Sequence, residues 1–195
     1  MSSVNLPLVG IGCLFCLVVV LVIAWALTAY NKLVRQRNQV DAAWAQIDVQ
    51  LKRRYDLIPN LVETVKGYAA HERGTLDAVV QARNSAVTAA GGGAGPAQRA
   101  QAENALTQTL GRLFALAEAY PNLKANQNFL GLQSELASTE DKIAYARQFY
   151  NSAVQTYNTS TQSIPTNIVA GIGGFRARDL FQAGGDERGP VQVRF

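Results

Sequence analysis

The sequence predicts an all-α protein in which an N-terminal transmembrane helix is continuous with an antiparallel up-and-down four-helix bundle. Three observations carry that expectation. Residues 8–27, LVGIGCLFCLVVVLVIAWAL, form an uncharged apolar run, long enough at ~1.5 Å rise per residue to cross a ~30 Å hydrocarbon layer. Beyond it, apolar residues recur at alternating spacings of three and four in four successive stripes, the pattern of coiled-coil-like seams. No stretch after the run alternates over enough residues to build a sheet.

Leu8, Leu14, Val20 and Leu27 mark the length of the expected span. A cleaved secretory signal would need basic residues ahead of the run and a break after the cut site. No Lys or Arg precedes it, and helix-forming sequence follows Ala24-Trp25-Ala26 directly. Lys32, Arg35 and Arg37 follow the run at once, with Lys52, Arg53 and Arg54 beyond. The positive-inside bias therefore places the N-terminus outside and the bulk in the cytoplasm, as a single-pass membrane protein. Three regions follow: an anchor (1–29), a helical bundle (30–164) and an apolar and basic tail (165–195).

No Gly or Pro lies between Cys13 and Ile58, so the anchor helix is expected to leave the lipid unbroken. Its stripe runs through Leu33, Arg37, Val40, Trp44, Ile47, Leu51, Tyr55 and Ile58, and Pro59 is expected to end it. A second stripe starts at Leu61 or Val62 and runs through Val65, Tyr68, Glu72, Leu76, Val79, Arg83 and Val87, ending near Ala90. Gly91 to Gly95 reads as a linker, and Pro96 suits the first turn of a third helix. That helix carries Leu106, Leu110, Leu113, Ala117 and Tyr120 and stops at Pro121. The fourth and longest runs from Phe129 through Ile143, Tyr150 and Tyr157 to Ile164, before Pro165. Four amphipathic helices with short connections close one core by packing antiparallel.

The fourth helix then returns toward the bilayer, delivering the tail there. Ile168, Val169, Ile172, Phe175, Leu180 and Phe181 stand beside Arg176 and Arg178 in that tail. Apolar groups next to basic ones suit an interfacial segment. The tail's own bundle or a neighbouring subunit would serve equally as its apolar partner, and Gly171, Gly173 and Gly174 weaken the case for a helix. Pro190 to Phe195 reads as a short strand for any partner edge.

Little chemistry is written here. Cys13 and Cys16 spell C-x-x-C inside the hydrocarbon, where a thiolate is disfavoured and a zinc ion has no further ligands. His71 is the single histidine and has no Glu three residues before it, which removes the Glu-x-x-His pairs of a di-metal bundle. The triple glycine lacks a following Lys-Ser or Lys-Thr, so it is no phosphate loop. No Ser occupies a nucleophile elbow. The net charge of +4 is spread along the chain, without the basic face that nucleic acid requires. No cofactor, metal or catalytic residue is expected. Charged residues on the stripes, Arg37, Glu72 and Arg83, are expected to find partners across helices, with Glu118 and Glu140 as candidates. The alternative is that they snorkel at the bundle edge.

The blocks AWAQIDVQLKRR (43–54), DLIPNLV (56–62), VKGY (65–68) and EAYP (118–121), with RQFYN (147–151) and Tyr157-Asn158, resemble the LemA family of bacterial membrane-anchored proteins. The resemblance spans nearly all of the chain after the anchor. It implies long antiparallel helices behind one span and no established enzymatic activity. Relatives in that family are associated with a membrane zinc protease and with shaping of internal membranes. The expected partners are therefore the lipid bilayer, further copies of the chain in a homo-oligomer, and a membrane protease or other membrane protein. The expected role is a scaffold, with a ligand- or stress-responsive sensor as its alternative.

Overall fold

The computed structural model describes residues 5–182, with side chains from residue 11 onward. The expectations for Leu8 and for a strand at 190–195 lie outside those descriptions. Six helices and no strand occur among the described residues: α1 (Asn5–Lys66), α2 (Arg73–Gly91), α3 (Pro96–Ala117), α4 (Pro121–Lys124), α5 (Gln127–Gln162) and α6 (Thr166–Ile172). The protein is all-α, with one long apolar N-terminal helix. It divides into two compact units. The first takes the chain up to Asp41 together with Ala153–Arg178; the second takes Ala42–Ser152 and the chain from Asp179.

In the first unit Leu33, Val40, Val154, Tyr157 and Phe175 are buried. In the second, the inward residues of α1 are Ala43, Ile47, Leu51, Arg54, Tyr55, Ile58, Leu61 and Val65. Leu76 and Val79 of α2, Leu106 and Leu113 of α3, and Leu136 and Ile143 of α5 are buried in the same unit. Each large aliphatic side chain wholly withdrawn from water contributes about 1.5–3 kcal/mol.

One expected boundary is corrected. Pro59 does not end the first helix; it lies inside α1, which continues to Lys66. Proline supplies no N–H to the carbonyl four residues back, and here that carbonyl belongs to Tyr55. Arg83 of α2 fills the gap, its Nε donating to the Tyr55 carbonyl at 3.2 Å. The buried series Tyr55, Ile58, Leu61 and Val65 keeps one phase through the proline, so packing holds the helix together where its own ladder is interrupted. The second helix consequently starts at Arg73, after a turn. Replacing Arg83 with Met should destabilise by about 1–3 kcal/mol, because a part-buried carbonyl loses the side-chain donor that stands in for the missing ladder bond. In a Pro59→Ala background the ladder bond returns and the same replacement should cost measurably less. Thermal unfolding of the four proteins checks this coupling.

The other punctuation follows local chemistry. Gly93 adopts φ +69°, a left-handed turn open to glycine, and Pro96 opens α3. Asn126 caps α5 by accepting the Phe129 N–H at 3.0 Å. Its amide also donates to the Tyr68 hydroxyl at 2.8 Å, while the Tyr120 hydroxyl donates to Glu72 at 3.1 Å. These bonds stitch the turn after α1 to the chain between α3 and α5. A helix forms in the tail despite its glycines: α6 ends at Gly173-Gly174, where Gly174 has φ +69°. A Cβ on Gly173 would meet the Phe175 ring at 2.6 Å, so glycine there lets the ring fold back onto the chain.

Candidate functional site

Three arrangements stand out: one in the first unit, one along the tail, and one in the second unit. Residues 11–23 of α1 are exposed throughout, Leu14, Val20 and Leu27 at 60% or more, and this is the one described helix long and apolar enough to cross a membrane. Just past it, the Tyr30 ring meets Phe175 edge-on with centroids 5.3 Å apart. The Arg37 guanidinium covers the other ring partner, 5.3 Å from the Phe175 centroid. The tail is thus fastened beside the point where the apolar run ends. Ala170 and Phe175 face inward, whereas Ile164, Ile168 and Ile172 project at 84%, 60% and 86% exposure. Val169 and Leu180 are half-buried, and Arg176 is exposed. Arg178 pairs with Asp41 at 3.0 Å.

The extended tail segment is clamped by side-chain amides. Asn158 donates to the Arg178 carbonyl at 2.8 Å and accepts the Arg178 N–H at 2.9 Å. In the second unit, Asn151 repeats the arrangement on Phe181, donating at 3.0 Å and accepting at 2.8 Å. The Tyr150 hydroxyl donates to the Asp179 carbonyl at 2.9 Å. Phe181 is 1% exposed, lying against Trp44 with centroids 5.8 Å apart and under the Arg147 guanidinium at 4.9 Å. An amide that both donates to and accepts from one backbone residue does for an extended segment what a neighbouring strand would do.

The third arrangement is a buried ionic cluster in the second unit. Arg54 of α1 is 2% exposed. Its Nη1 lies 3.0 Å from Glu140 of α5 and 3.6 Å from Glu103 of α3, and its Nη2 donates to Thr107 at 2.6 Å. The Tyr55 hydroxyl donates to Glu103, and Arg99 pairs with Asp48 while its guanidinium covers Trp44 at 4.7 Å. Burial raises the Glu103 pKa above its usual 4.5; the Tyr55 hydrogen bond, Arg54 and Arg99 oppose this, and Glu140 adds to it. Burial and the Glu103 contact likewise push the Tyr55 hydroxyl upward. A carboxyl whose folded pKa is raised gives stability that is present at low pH and lost as pH rises through the folded value. Relative to a Glu103→Gln variant, the native chain should therefore gain unfolding temperature as the pH falls from neutral toward 4.5, a difference readable by calorimetry.

The expected polar network is redistributed. Arg37 is exposed on Phe175, Glu118 is exposed and pairs with Lys124, and Glu72 and Arg83 serve the turn and the Tyr55 carbonyl. Glu140 alone joins the buried cluster, whose other members, Arg54, Arg99 and Glu103, were not among the expected residues. A signal existed for two of them. Extending the third stripe back from Leu106 by three and then four residues lands on Glu103 and Arg99. No group of three or more His, Cys, Asp or Glu suited to a metal occurs among the described residues.

Comparison with known proteins agrees with this anatomy. The sequence model of the LemA family matches residues 43–195. Magnetosome protein MamQ 2 of Paramagnetospirillum magneticum is 29% identical over 186 residues, covering 84% of this chain and 68% of the relative. Magnetosome protein MamQ of Magnetospirillum gryphiswaldense is 27% identical, covering 80% and 65%. Protein LemA of Metamycoplasma hominis is 26% identical, covering 84% and 73%.

Proposed function

The chain belongs to the LemA family, and from that footing we propose that it is a non-enzymatic, single-span membrane scaffold that associates with copies of itself or holds a membrane partner. Its N-terminus lies outside a bacterial inner membrane, and its helical body, a four-helix bundle behind the anchor, lies in the cytoplasm. The observation that carries this reading is the seat of Phe175 on Tyr30. It fastens α6 next to the end of the apolar run, where aromatic rings favour the membrane boundary. Ile168, Ile172 and Arg176 of the tail and Lys32 and Arg35 of α1 are all exposed, an apolar and basic mixture suited to headgroups or to a second copy's equivalent surface. The magnetosome proteins and Protein LemA among its relatives support a membrane-associated helical protein.

The test is the mass of the detergent-purified chain with and without residues 166–195. The full chain should run as a complex several times its 21.0 kDa, and truncation should reduce it to single chains. A single chain in both samples defeats the scaffold. In right-side-out vesicles, external protease should leave the Gly91–Gly95 linker intact; cleavage there reverses the topology.

A further inference from the structure

Two ties fix how the end of α5 and the tail sit against α1 within the first unit. Gln36 of α1 donates to the Ser160 hydroxyl at 3.0 Å, and Arg178, held by Asn158, pairs with Asp41 at 3.0 Å. Asn158 thus lies toward Asp41 and Ser160 toward Gln36, so α5 runs toward the apolar end of α1. Between those ties the chain turns back, and Phe175 carries the turn as far as Tyr30. Tyr30 follows the exposed Leu27 by one helical turn. At this end Ile164, just before α6, and Ile168 and Ile172, a turn apart on it, are exposed, while Ala170 and Phe175 are buried.

Charge decides what covers the isoleucines. The first unit carries five cations, Lys32, Arg35, Arg37, Arg176 and Arg178, against one acid, Asp41, which Arg178 already pairs. The same surface of a second copy would set cations against cations, whereas an anionic headgroup layer supplies the opposite sign. We propose that Ile168 and Ile172 insert into the leaflet from which α1 emerges, giving the first unit a second hold on a bilayer that contains anionic lipid. It rests on the single-span reading of α1 and not on self-association. Apolar area and attraction to anionic lipid act together in interfacial segments of this kind. A helix as short as α6 suffices because the Phe175 contact with Tyr30 already confines it beside the span, so insertion is intramolecular.

The probe is the environment-sensitive dye NBD, attached at Ile172→Cys or at Ile168→Cys in a chain carrying Cys13→Ala and Cys16→Ala. Each labelled chain is placed singly in nanodiscs of phosphatidylcholine and phosphatidylglycerol. Both isoleucines are exposed, so neither replacement removes core packing, and either site suffices should the other lose its helical signal. Expected is blue-shifted emission that loses most of its intensity when part of the lipid carries a doxyl quencher high on the acyl chain. The same dye at Asn38→Cys, exposed on α1 and ~12 Å farther along it than Tyr30, should keep its longer wavelength and its intensity. In discs of phosphatidylcholine alone, the dye on α6 should be quenched less. Long-wavelength, unquenched emission from α6 leaves its isoleucines in water and overturns the contact. Blue-shifted emission without doxyl quenching gives that face to protein and overturns the lipid assignment, while the scaffold, read separately from its mass, still stands. Equal quenching in both kinds of disc overturns the role given to the cations.

Discussion

Arg54→Met should lower the unfolding stability of the full chain by about 3–5 kcal/mol, the cost of stranding a buried carboxylate when its cation is removed. The direction follows from the cluster's composition. Arg54 is the cation nearest Glu103, at 3.6 Å, and also holds Glu140 at 3.0 Å, while Arg99 is committed to Asp48. With the guanidinium gone, Glu103 keeps the Tyr55 hydroxyl as a donor but loses its charge partner in a site where burial already raises its pKa. Arg54→Met with Glu103→Gln should recover much of the loss, since a neutral amide still accepts from Tyr55 and no longer needs a cation. Helical circular dichroism in detergent, followed against denaturant, reads all four corners of this cycle. If the single and double variants unfold alike, Glu103 is not charged in the native protein at the pH used, and the cluster is held by hydrogen bonds alone.

The same cluster shows where sequence reasoning reaches and where it stops. Apolar periodicity is local, so the span, the long helices and the turns at Gly91–Pro96, Pro121 and Pro165 were all readable from residue order. Pro59 misled because its effect was cancelled from outside its own helix: no pattern near residue 59 announces that Arg83 will supply the missing donor. Arg54 escaped for a different reason. Leu51 plus three is Arg54 and Leu51 plus four is Tyr55, both consistent with one stripe, and both turn inward. Choosing the apolar one of the pair discarded the residue around which three helices exchange charge. The tail gave a third kind of ambiguity. Phe175 and Phe181 looked free to meet lipid or a neighbour, yet they are buried within the chain, while Ile168 and Ile172, of the same apolar kind, are exposed. Residue type could not separate them, because the distinction is made by glycine geometry at 173 and 174 and by amide hydrogen bonds from α5.

Those amides predict the second large effect. Asn151→Ala removes both hydrogen bonds to the Phe181 backbone, worth about 1–3 kcal/mol together. Because the segment around Phe181 can open without unfolding the helices, the loss should appear locally rather than in the melting temperature. The Phe181 amide should exchange with solvent roughly ten to a hundred times faster, following ~1.4 kcal/mol per decade. Phe181 also covers Trp44, one of only two tryptophans, so in a Trp25→Phe background the emission of Trp44 should move to longer wavelength as the ring departs. Asn151→Asp separates the two halves of the contact. It retains an acceptor for the Phe181 N–H but turns a second anionic oxygen toward the Phe181 carbonyl, and it should release the segment at least as fully as alanine does. If aspartate instead preserves slow exchange, the donated bond contributes nothing and the clamp reduces to a single accepted N–H. Unchanged exchange in both variants would mean that Phe181 is kept in place by its packing against Trp44 and Arg147 alone.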